Sequence, residues 1–401
     1  MNRKVLFIII YTYTLVFSVL KTIRFPNQWS VAHWMLDYRF GFIKRGFAGG
    51  FLGLFVEKNE QNIFVLSVFI ILLLYGLLLF MASKETIRNK GDVYTLVFYL
   101  TFFLSQYIIF TAHLIGYLDH IIFLLTILVI WLLRKKKILL ASLVASISIL
   151  IHEVSFFLML PICCFALVVD GVSREGISFK DTLNSHLIKR ISFFLILPLA
   201  VTFGVSAYQE VSGSNYHKMI LNYLDHLEFI NAKVADSVAS AYTVKFTDYI
   251  QDESPHFFQR VFVSKCSIFF GIPILFMMYV VYRKFEKANK YLLLLFAIVI
   301  LIPLGLHAIA YDTYRIWSFP FMILFLGYWI LSSGYNVSVD VSEKLSLPEI
   351  LLAALAIALV SLVPSQLLDD EVERFSLVQR LLILIPLLAL GTACFYKKAP
   401  M

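Results

Sequence analysis

The chain has 401 residues, a formal net charge of +8 at pH 7, 60% hydrophobic residues and only 15% charged residues. This composition excludes a soluble globular domain, whose surface needs more charge, and it indicates a multi-pass membrane protein. The four cysteines form neither a metal-binding spacing nor a disulfide framework.

Long apolar runs divide the chain into predicted membrane spans. Lipid cannot satisfy backbone polar groups, so each run must be helical, and we predict an all-α polytopic protein in which residues 1–401 form a single membrane domain. The first run lacks a cleavage pattern behind it and is predicted to be a retained span. About twelve spans are predicted, at residues 5–23, 63–82, 93–112, 117–133, 138–151, 154–170, 191–208, 262–282, 291–310, 316–333, 350–364 and 381–396.

Basic residues indicate how these spans are oriented. The clusters RKKK at 134–137 and RKFEKANK at 283–290 lie at helix ends in short loops, where the positive-inside rule has most weight. We therefore place these loops and both chain termini in the cytoplasm. The net positive charge is then largely a topological signal, and it needs no nucleic-acid partner.

This orientation puts the stretch HWMLDYRFGFIKRGFAGG, residues 33–50, in the first outer loop. The loop carries four charged candidate residues, Asp37, Arg39, Lys44 and Arg45. Basic residues in an outer loop run against the topological bias, so they either bind a ligand or hold lipid headgroups. The stretch FAGGFLGLFV, residues 47–56, is too short to span the membrane, and we expect it to lie at the interface or to re-enter.

Three further polar clusters fall at the same outer face. They comprise His113, Asp119 and His120 in AHLIGYLDH, His152 and Glu153 in LIHEVSFFLMLP, and His307, Asp312 and Arg315 in LHAIAYDTYR. Charged groups at membrane depth are costly unless they are paired or face a wet cavity, so we expect all four stretches to share one outer-facing cavity. The structural alternatives are a capped hairpin turn at His152–Glu153, a helix end at Asp119, and an ion pair between Asp312 and Arg315.

Two longer outer segments connect later spans. Residues 209–260 carry apolar side chains at helical spacing, and we predict an amphipathic helical loop that acts as a lid. The spaced residues are Met219, Ile220, Tyr223, Leu224, Leu227 and Ile230. Residues 365–380 are acidic and indicate a solvated turn or, as the alternative, a cation site. The acidic residues are Asp369, Asp370, Glu371 and Glu373.

The architecture resembles that of the GT-C class of lipid-linked glycosyltransferases and, more loosely, the O-antigen and capsule polymerases. The shared features are many spans, a carboxylate in the first outer loop, further charged residues at the outer face and a larger late outer loop. The stretch AHWMLDYRFGFIKRGFAGG, residues 32–50, also resembles a signature of bacterial multi-pass proteins of the surface-polysaccharide type. The chain departs from GT-C enzymes in having Asp37 alone where a paired acidic motif is common, and in lacking a large soluble domain after the spans.

The resemblance implies an enzyme of the bacterial inner membrane that transfers saccharide from a polyprenyl-diphosphate-linked donor to a glycan acceptor. It would act as a glycosyltransferase or as a polymerase of oligosaccharide repeats. Such transfer needs a carboxylate that takes the proton of the acceptor hydroxyl, and basic groups that stabilise the departing diphosphate. The implied catalytic residues are Asp37 or Glu153 as the base, together with His152. The implied substrate-binding residues are Arg39, Lys44, Arg45, His113, Asp119, His307, Asp312 and Arg315.

The resemblance implies no certain cofactor. A divalent metal stays an open alternative, since Asp, Glu and His are all present. The competing function is a transporter or flippase of a lipid-linked glycan or another anionic substrate, which would carry ionisable groups near the bilayer midplane and repeated halves. The charges gather at one face and no repeat is evident in the sequence, which favours an enzyme. A third alternative is an assembly protein whose polar clusters share no cavity.

Overall fold

The computed structural model describes residues 3–174, 185–335, 345–368 and 371–396, and these residues are helical apart from their connections and one isolated bridge between Gln366 and Val372. The first ten helices are α1 (Arg3–Leu20), α2 (Gln28–Met35), α3 (Gly46–Leu52), α4 (Glu60–Arg88), α5 (Val93–Leu104), α6 (Gln106–His113), α7 (Asp119–Arg134), α8 (Ile138–Ile151), α9 (Ser155–Leu158) and α10 (Leu160–Arg174). The next ten are α11 (Ser185–Ser212), α12 (His217–Asp225), α13 (Ala232–Thr243), α14 (Phe246–Glu253), α15 (Lys265–Phe269), α16 (Gly271–Lys284), α17 (Lys290–Leu301), α18 (Thr313–Gly334), α19 (Leu347–Leu362) and α20 (Leu377–Tyr396).

The prediction of an all-helical membrane protein is confirmed by the length and apolar composition of the helices. Within the described residues, seven helices are long and apolar enough to cross a membrane. They are Glu60–Arg88, Val93–His113, Ser155–Ser173, His186–Ser212, Lys265–Lys284, Lys290–Ala308 and Thr313–Gly334. Each of the other predicted spans overlaps a further helix of the structure. The total of about twelve crossings stays a prediction, and the chain termini lie outside the described residues.

Two predicted spans are interrupted by serines. The span predicted at 93–112 breaks at Ser105, where extended backbone separates α5 from α6. The span predicted at 262–282 starts in a π-helical turn, Gln259–Val263, and restarts after Ser264. In both places the serine Oγ donates to a carbonyl of the preceding turn at 2.6 Å, a local side-chain bond that competes with regular helical bonding.

Helices α5, α6 and α18 form the centre of the bundle, and their side chains are almost all buried. Phe98 stacks on Tyr328 with ring centroids 4.3 Å apart, and Phe102 packs against Phe325 at 4.5 Å. Helices α4 and α11 instead bury only a minority of the side chains in their apolar stretches. Helices that are apolar on their exposed side fit a lipid-facing periphery better than a surface in water.

A second hydrophobic cluster lies beside this bundle and joins the first polar loop to segment 209–260. Helix α13 packs on α2, and α12 packs on α13. The predicted apolar face is confirmed at Ile220 and Leu224, which are fully buried, but α12 ends at Asp225, so Leu227 and Ile230 lie in the following turn. Segment 209–260 is therefore anchored to the polar loop by a core of its own.

The acidic segment 365–380 is more than a solvated turn. Glu373 is buried, with its Oε2 3.1 Å from Arg380 Nη2 and 3.9 Å from Lys21 Nζ. The prediction of a solvated turn is therefore wrong for Glu373, because two basic side chains compensate its charge away from water. Glu371 is half-exposed and pairs with Arg24 at 2.8 Å, and the remaining predicted acidic residues Asp369 and Asp370 lie outside the described residues.

Gly49 allows α3 to pack closely against the end of α2. A Cβ at this position would lie 2.1 Å from the carbonyl oxygen of Leu36 and 2.5 Å from that of Trp34. Neither backbone atom can rotate away, so we expect Gly49→Ala to lower the free energy of unfolding by about 3 kcal/mol, measured by thermal unfolding in detergent. The control Gly76→Ala adds a methyl with nothing within 4 Å and should not lower Tm. Equal losses in both variants would contradict this account of the α2–α3 contact.

Candidate functional site

Helix directions bring two predicted polar stretches to one end of the bundle. Helix α7 begins at Asp119 and runs to Arg134, and α8 returns from Ile138 to Ile151. Glu153 and Asp119 consequently lie at the same end, opposite the basic turn 134–137. We call this the network end of the bundle.

Arg45 and Glu153 form a two-pronged ion pair at the network end. The Arg45 Nε donates to both carboxylate oxygens of Glu153 at 3.0 and 2.9 Å, and its Nη2 also donates to Oε1. Arg45 has a φ of 60°, in the left-handed region that costs a side chain with Cβ about 1 kcal/mol. The ion pair gives this backbone conformation a compensating contact, because paired guanidinium and carboxylate groups bind strongly.

His152 continues the chain of contacts from Glu153 towards a second ion pair. Its Nδ1 lies 3.1 Å from Glu153 Oε2, and its Nε2 lies 4.0 Å from Asp119 Oδ1. Asp119 accepts two hydrogen bonds of 2.8 Å from Arg315. Arg315 in turn donates to Asp312 at 3.0 Å, which confirms the predicted pairing of these two residues.

We call these six residues the ionic network: Arg45, Glu153, His152, Asp119, Arg315 and Asp312. The middle of the network is buried, and its outer carboxylates are partly exposed. The Asp119 and Arg315 side chains are 9% and 12% exposed, whereas those of Glu153 and Asp312 are 34% and 36% exposed. The two outer carboxylates can therefore meet a ligand, and the inner pair cannot do so without moving.

Lys44 lies next to the ionic network without a carboxylate partner of its own. Its side chain is buried, and among the described residues no carboxylate oxygen lies within 4.0 Å of its ammonium. The ammonium instead faces the ring of Tyr249 at 4.7 Å from the centroid. Burial lowers the pKa of Lys44 to about 8, although the charge of Glu153 opposes this shift. Lys44 is therefore a buried cation whose nearest charged neighbours do not form a contact ion pair with it.

Segment 209–260 contributes the aromatic cover of the site. Tyr242 on α13 lies over the Arg45 guanidinium at 5.9 Å, and Tyr249 on α14 lies over Lys44. The Tyr242 hydroxyl is 3.2 Å from His33 Nδ1, and the two rings stack at 5.5 Å. The segment therefore covers the two basic residues of the polar loop, as a lid would.

Asp37 and Arg39 lie in a different cluster, although they belong to the same polar loop. Arg39 pairs with Asp37 through Nε at 2.9 Å and Nη2 at 2.7 Å, and Lys58 also donates to Asp37. Burial opposes ionisation of Asp37, but the hydrogen bonds from Arg39 and Lys58 outweigh it and hold the pKa of this carboxyl well below its usual range. Within the described residues, no ion pair joins this cluster to the ionic network.

The other predicted histidines make no ion pair with the ionic network within the described residues, although His120 lies near Asp119. His113 Nε2 is 3.1 Å from the carbonyl oxygen of Leu368, and its Nδ1 is 3.8 Å from Glu371. His120 contacts two backbone carbonyls, which is a structural role. His307 is fully buried, and within the described residues neither of its ring nitrogens has a hydrogen-bond partner.

The acid-rich regions form no evident metal site. Within the described ranges, no group of three or more His, Cys, Asp or Glu side chains has an arrangement that could hold a metal ion. No family model, curated protein or solved structure matches the chain.

His33 is a residue of this site that sequence reasoning did not select. It lies close enough to the ionic network for Arg45, His152, Arg315 and Glu153 to affect its charge. Burial lowers the pKa of His33 well below its usual value, and the nearby Arg45 lowers it further. In the sequence, His33 is flanked by Trp34 and other apolar residues. The one signal that could have identified it is its position at the start of the polar stretch.

Proposed function

We propose that this protein is a membrane glycosyltransferase or oligosaccharide-repeat polymerase of surface-polysaccharide synthesis. It would use a saccharide linked to polyprenyl diphosphate at the extracytoplasmic face of the bacterial inner membrane. The proposal includes about twelve crossings and cytoplasmic termini. The observation that carries it is the buried Lys44, which has no carboxylate of the described residues at contact distance, beside the Arg45–Glu153 pair: this arrangement offers a place for an anionic leaving group next to a carboxylate that is 34% exposed.

Glu153 is the base in this proposal. Its carboxylate is more accessible than that of Asp37, which is 13% exposed and held by two basic side chains. Burial raises the pKa of Glu153, but the charge of Arg45 outweighs burial and holds it well below its usual range, so the group is ionised at neutral pH. When a diphosphate binds Arg45, its negative charge offsets part of the effect of Arg45 on Glu153. The pKa of Glu153 then rises, and Glu153 becomes a stronger base.

The leaving diphosphate belongs at Lys44 and Arg45. Transfer forms a bond from the acceptor oxygen to the anomeric carbon, breaks the bond from that carbon to the diphosphate oxygen, and moves the acceptor proton to Glu153. Negative charge then builds on the diphosphate, where Lys44 and Arg45 stabilise it. Arg315 is a structural residue in this proposal, since its donors already serve Asp119 and Asp312.

The distribution of charge favours this enzyme over a transporter or flippase. The ionic network lies where α7 and α18 begin and where α8 ends, which is at helix termini. Transported ions and substrates are more often bound near the middle of broken helices. A flippase also has to expose its charged groups to each face of the membrane in turn. The buried Asp119 and Arg315 instead bind one another.

Deletion of the gene tests the proposal directly. We expect the deletion strain to accumulate lipid-linked single repeat units for a polymerase, or truncated units for a transferase, as measured by mass spectrometry of extracted polyprenyl-linked glycans. Lys44→Met should fail to restore normal surface glycan, whereas the exposed control Lys233→Met on α13 should restore it at equal membrane expression. Normal lipid-linked intermediates in the deletion strain would refute the enzymatic function.

Binding of an anion at Lys44 should depend on pH. The ammonium form is lost as pH rises through about 8, so affinity for inorganic pyrophosphate should fall above that pH by up to about tenfold per unit. The arginine of Lys44→Arg stays charged between pH 7 and 9.5. Pyrophosphate itself also titrates in this range, but it does so equally with both proteins, so the difference between their calorimetric affinities reports the titration of Lys44. Parallel curves for wild type and Lys44→Arg would show that Lys44 does not bind the anion.

A further inference from the structure

A cavity of about 360 Å³ lies between the turn that follows α2 and the turn that follows α3, apart from the ionic network. Four charged residues line it: Asp37, Arg39, Glu57 and Lys58. Two are basic and two are acidic, so their formal charges cancel. A ligand that matches this lining carries both a positive and a negative charge.

By their pairing, the charged residues of the cavity divide into two groups, which we call its poles. At one pole, Arg39 and Lys58 share the single carboxylate of Asp37, which leaves an excess of one positive charge. The Arg39 side chain is 49% exposed and can accept a further partner. At the other pole, Glu57 is exposed, and within the described residues its carboxylate makes no ion pair.

The rim of the cavity is strongly apolar. Leu54 lines it and is 78% exposed, and the neighbouring Phe51 and Phe55 are 55% and 70% exposed and pack on one another with centroids 5.0 Å apart. Helix α4, which is long enough to cross a membrane, begins a few residues later at Glu60. A contiguous group of exposed apolar side chains beside such a helix is a surface that lipid can cover.

We propose that this cavity binds the headgroup of a phospholipid that carries both a phosphate and a primary amine. The phosphate contacts Arg39, the amine contacts Glu57, and the acyl chains lie over Phe51, Leu54 and Phe55. A polyprenyl diphosphate shares the phosphate and the hydrocarbon but brings only negative charge, which Glu57 repels. The site is therefore distinct from the proposed diphosphate position at Lys44, and it does not depend on the proposed enzymatic function.

Native mass spectrometry of the protein released from nanodiscs tests this site. The nanodiscs contain equal amounts of phosphatidylethanolamine, phosphatidylcholine and phosphatidylglycerol, with polyprenyl phosphate added in a second series. We expect the wild type to retain one phosphatidylethanolamine in preference to the other lipids. Glu57→Gln should reduce this preference by about fivefold, the upper range for a partly exposed ion pair. The matched control Glu60→Gln, also exposed and acidic but outside the cavity, should keep it.

Three outcomes would overturn the proposal. Equal retention of all three phospholipids would mean that the cavity has no headgroup preference. Displacement of phosphatidylethanolamine by polyprenyl phosphate would assign the cavity to the carrier lipid. A preference unchanged in Glu57→Gln would place the bound lipid elsewhere on the protein, and thermal unfolding of each variant in detergent establishes that the compared proteins are folded.

Discussion

Replacing Glu153 with glutamine is expected to lower the rate of saccharide transfer by about 100- to 10,000-fold, which is the usual contribution of a general base. Glutamine keeps the shape of the side chain and one hydrogen-bond acceptor for Arg45, but it cannot take the proton of an acceptor hydroxyl. The measurement is single-turnover transfer from a polyprenyl-diphosphate-linked donor in detergent or nanodiscs. Binding of the donor should change far less than the rate, since Lys44 and Arg45 remain.

Two variants make this result interpretable. Glu228→Gln, at an exposed acidic position of segment 209–260, should retain full activity and controls for the general effect of losing a negative charge. Asp37→Asn tests the other candidate base of the sequence analysis. A large rate loss in Asp37→Asn together with normal turnover in Glu153→Gln would move the reaction centre to the cavity near α3 and contradict the role proposed for Glu153.

The sequence predicted where the helices of this fold lie better than it predicted the breaks within them. The turn at His152 and Glu153 was predictable because two polar residues divide an apolar run, and the structure ends α8 at Ile151. The break at Ser105 was not predictable, because a single serine is compatible with a continuous apolar helix. Its extended backbone depends on the packing of α5 and α6 in the bundle centre, which the sequence pattern does not express.

The sequence also predicted which residues are unusual better than which of them meet. Asp119 and Arg315 are 196 positions apart, and nothing in either local pattern identifies the other as its partner. Asp37 and Arg45 are eight positions apart and belong to one polar loop, yet they take part in separate clusters. The loop folds so that Lys58 pairs with Asp37 while Glu153 pairs with Arg45, and these long-range contacts decide the grouping.

Removal of Arg315 is expected to have the largest effect on stability. In Arg315→Ala the buried Asp119 loses both of its 2.8 Å hydrogen bonds, and an uncompensated buried charge costs about 3–5 kcal/mol. Thermal unfolding in detergent should show a clear drop in Tm. Arg39→Ala is the matched control, because this guanidinium is half-exposed and Asp37 keeps Lys58, so the loss should stay below about 1 kcal/mol.

A double-mutant cycle separates loss of the pair from loss of packing. In Asp119→Asn with Arg315→Ala, the buried charge is absent, so the double variant should be more stable than Arg315→Ala alone. Additive losses would show that Arg315 stabilises the fold through its packing against Tyr117 and Phe319 rather than through Asp119. Recovery of stability without recovery of transfer would contradict the purely structural role proposed for Arg315 and would show that the inner pair also positions Asp312 and His152.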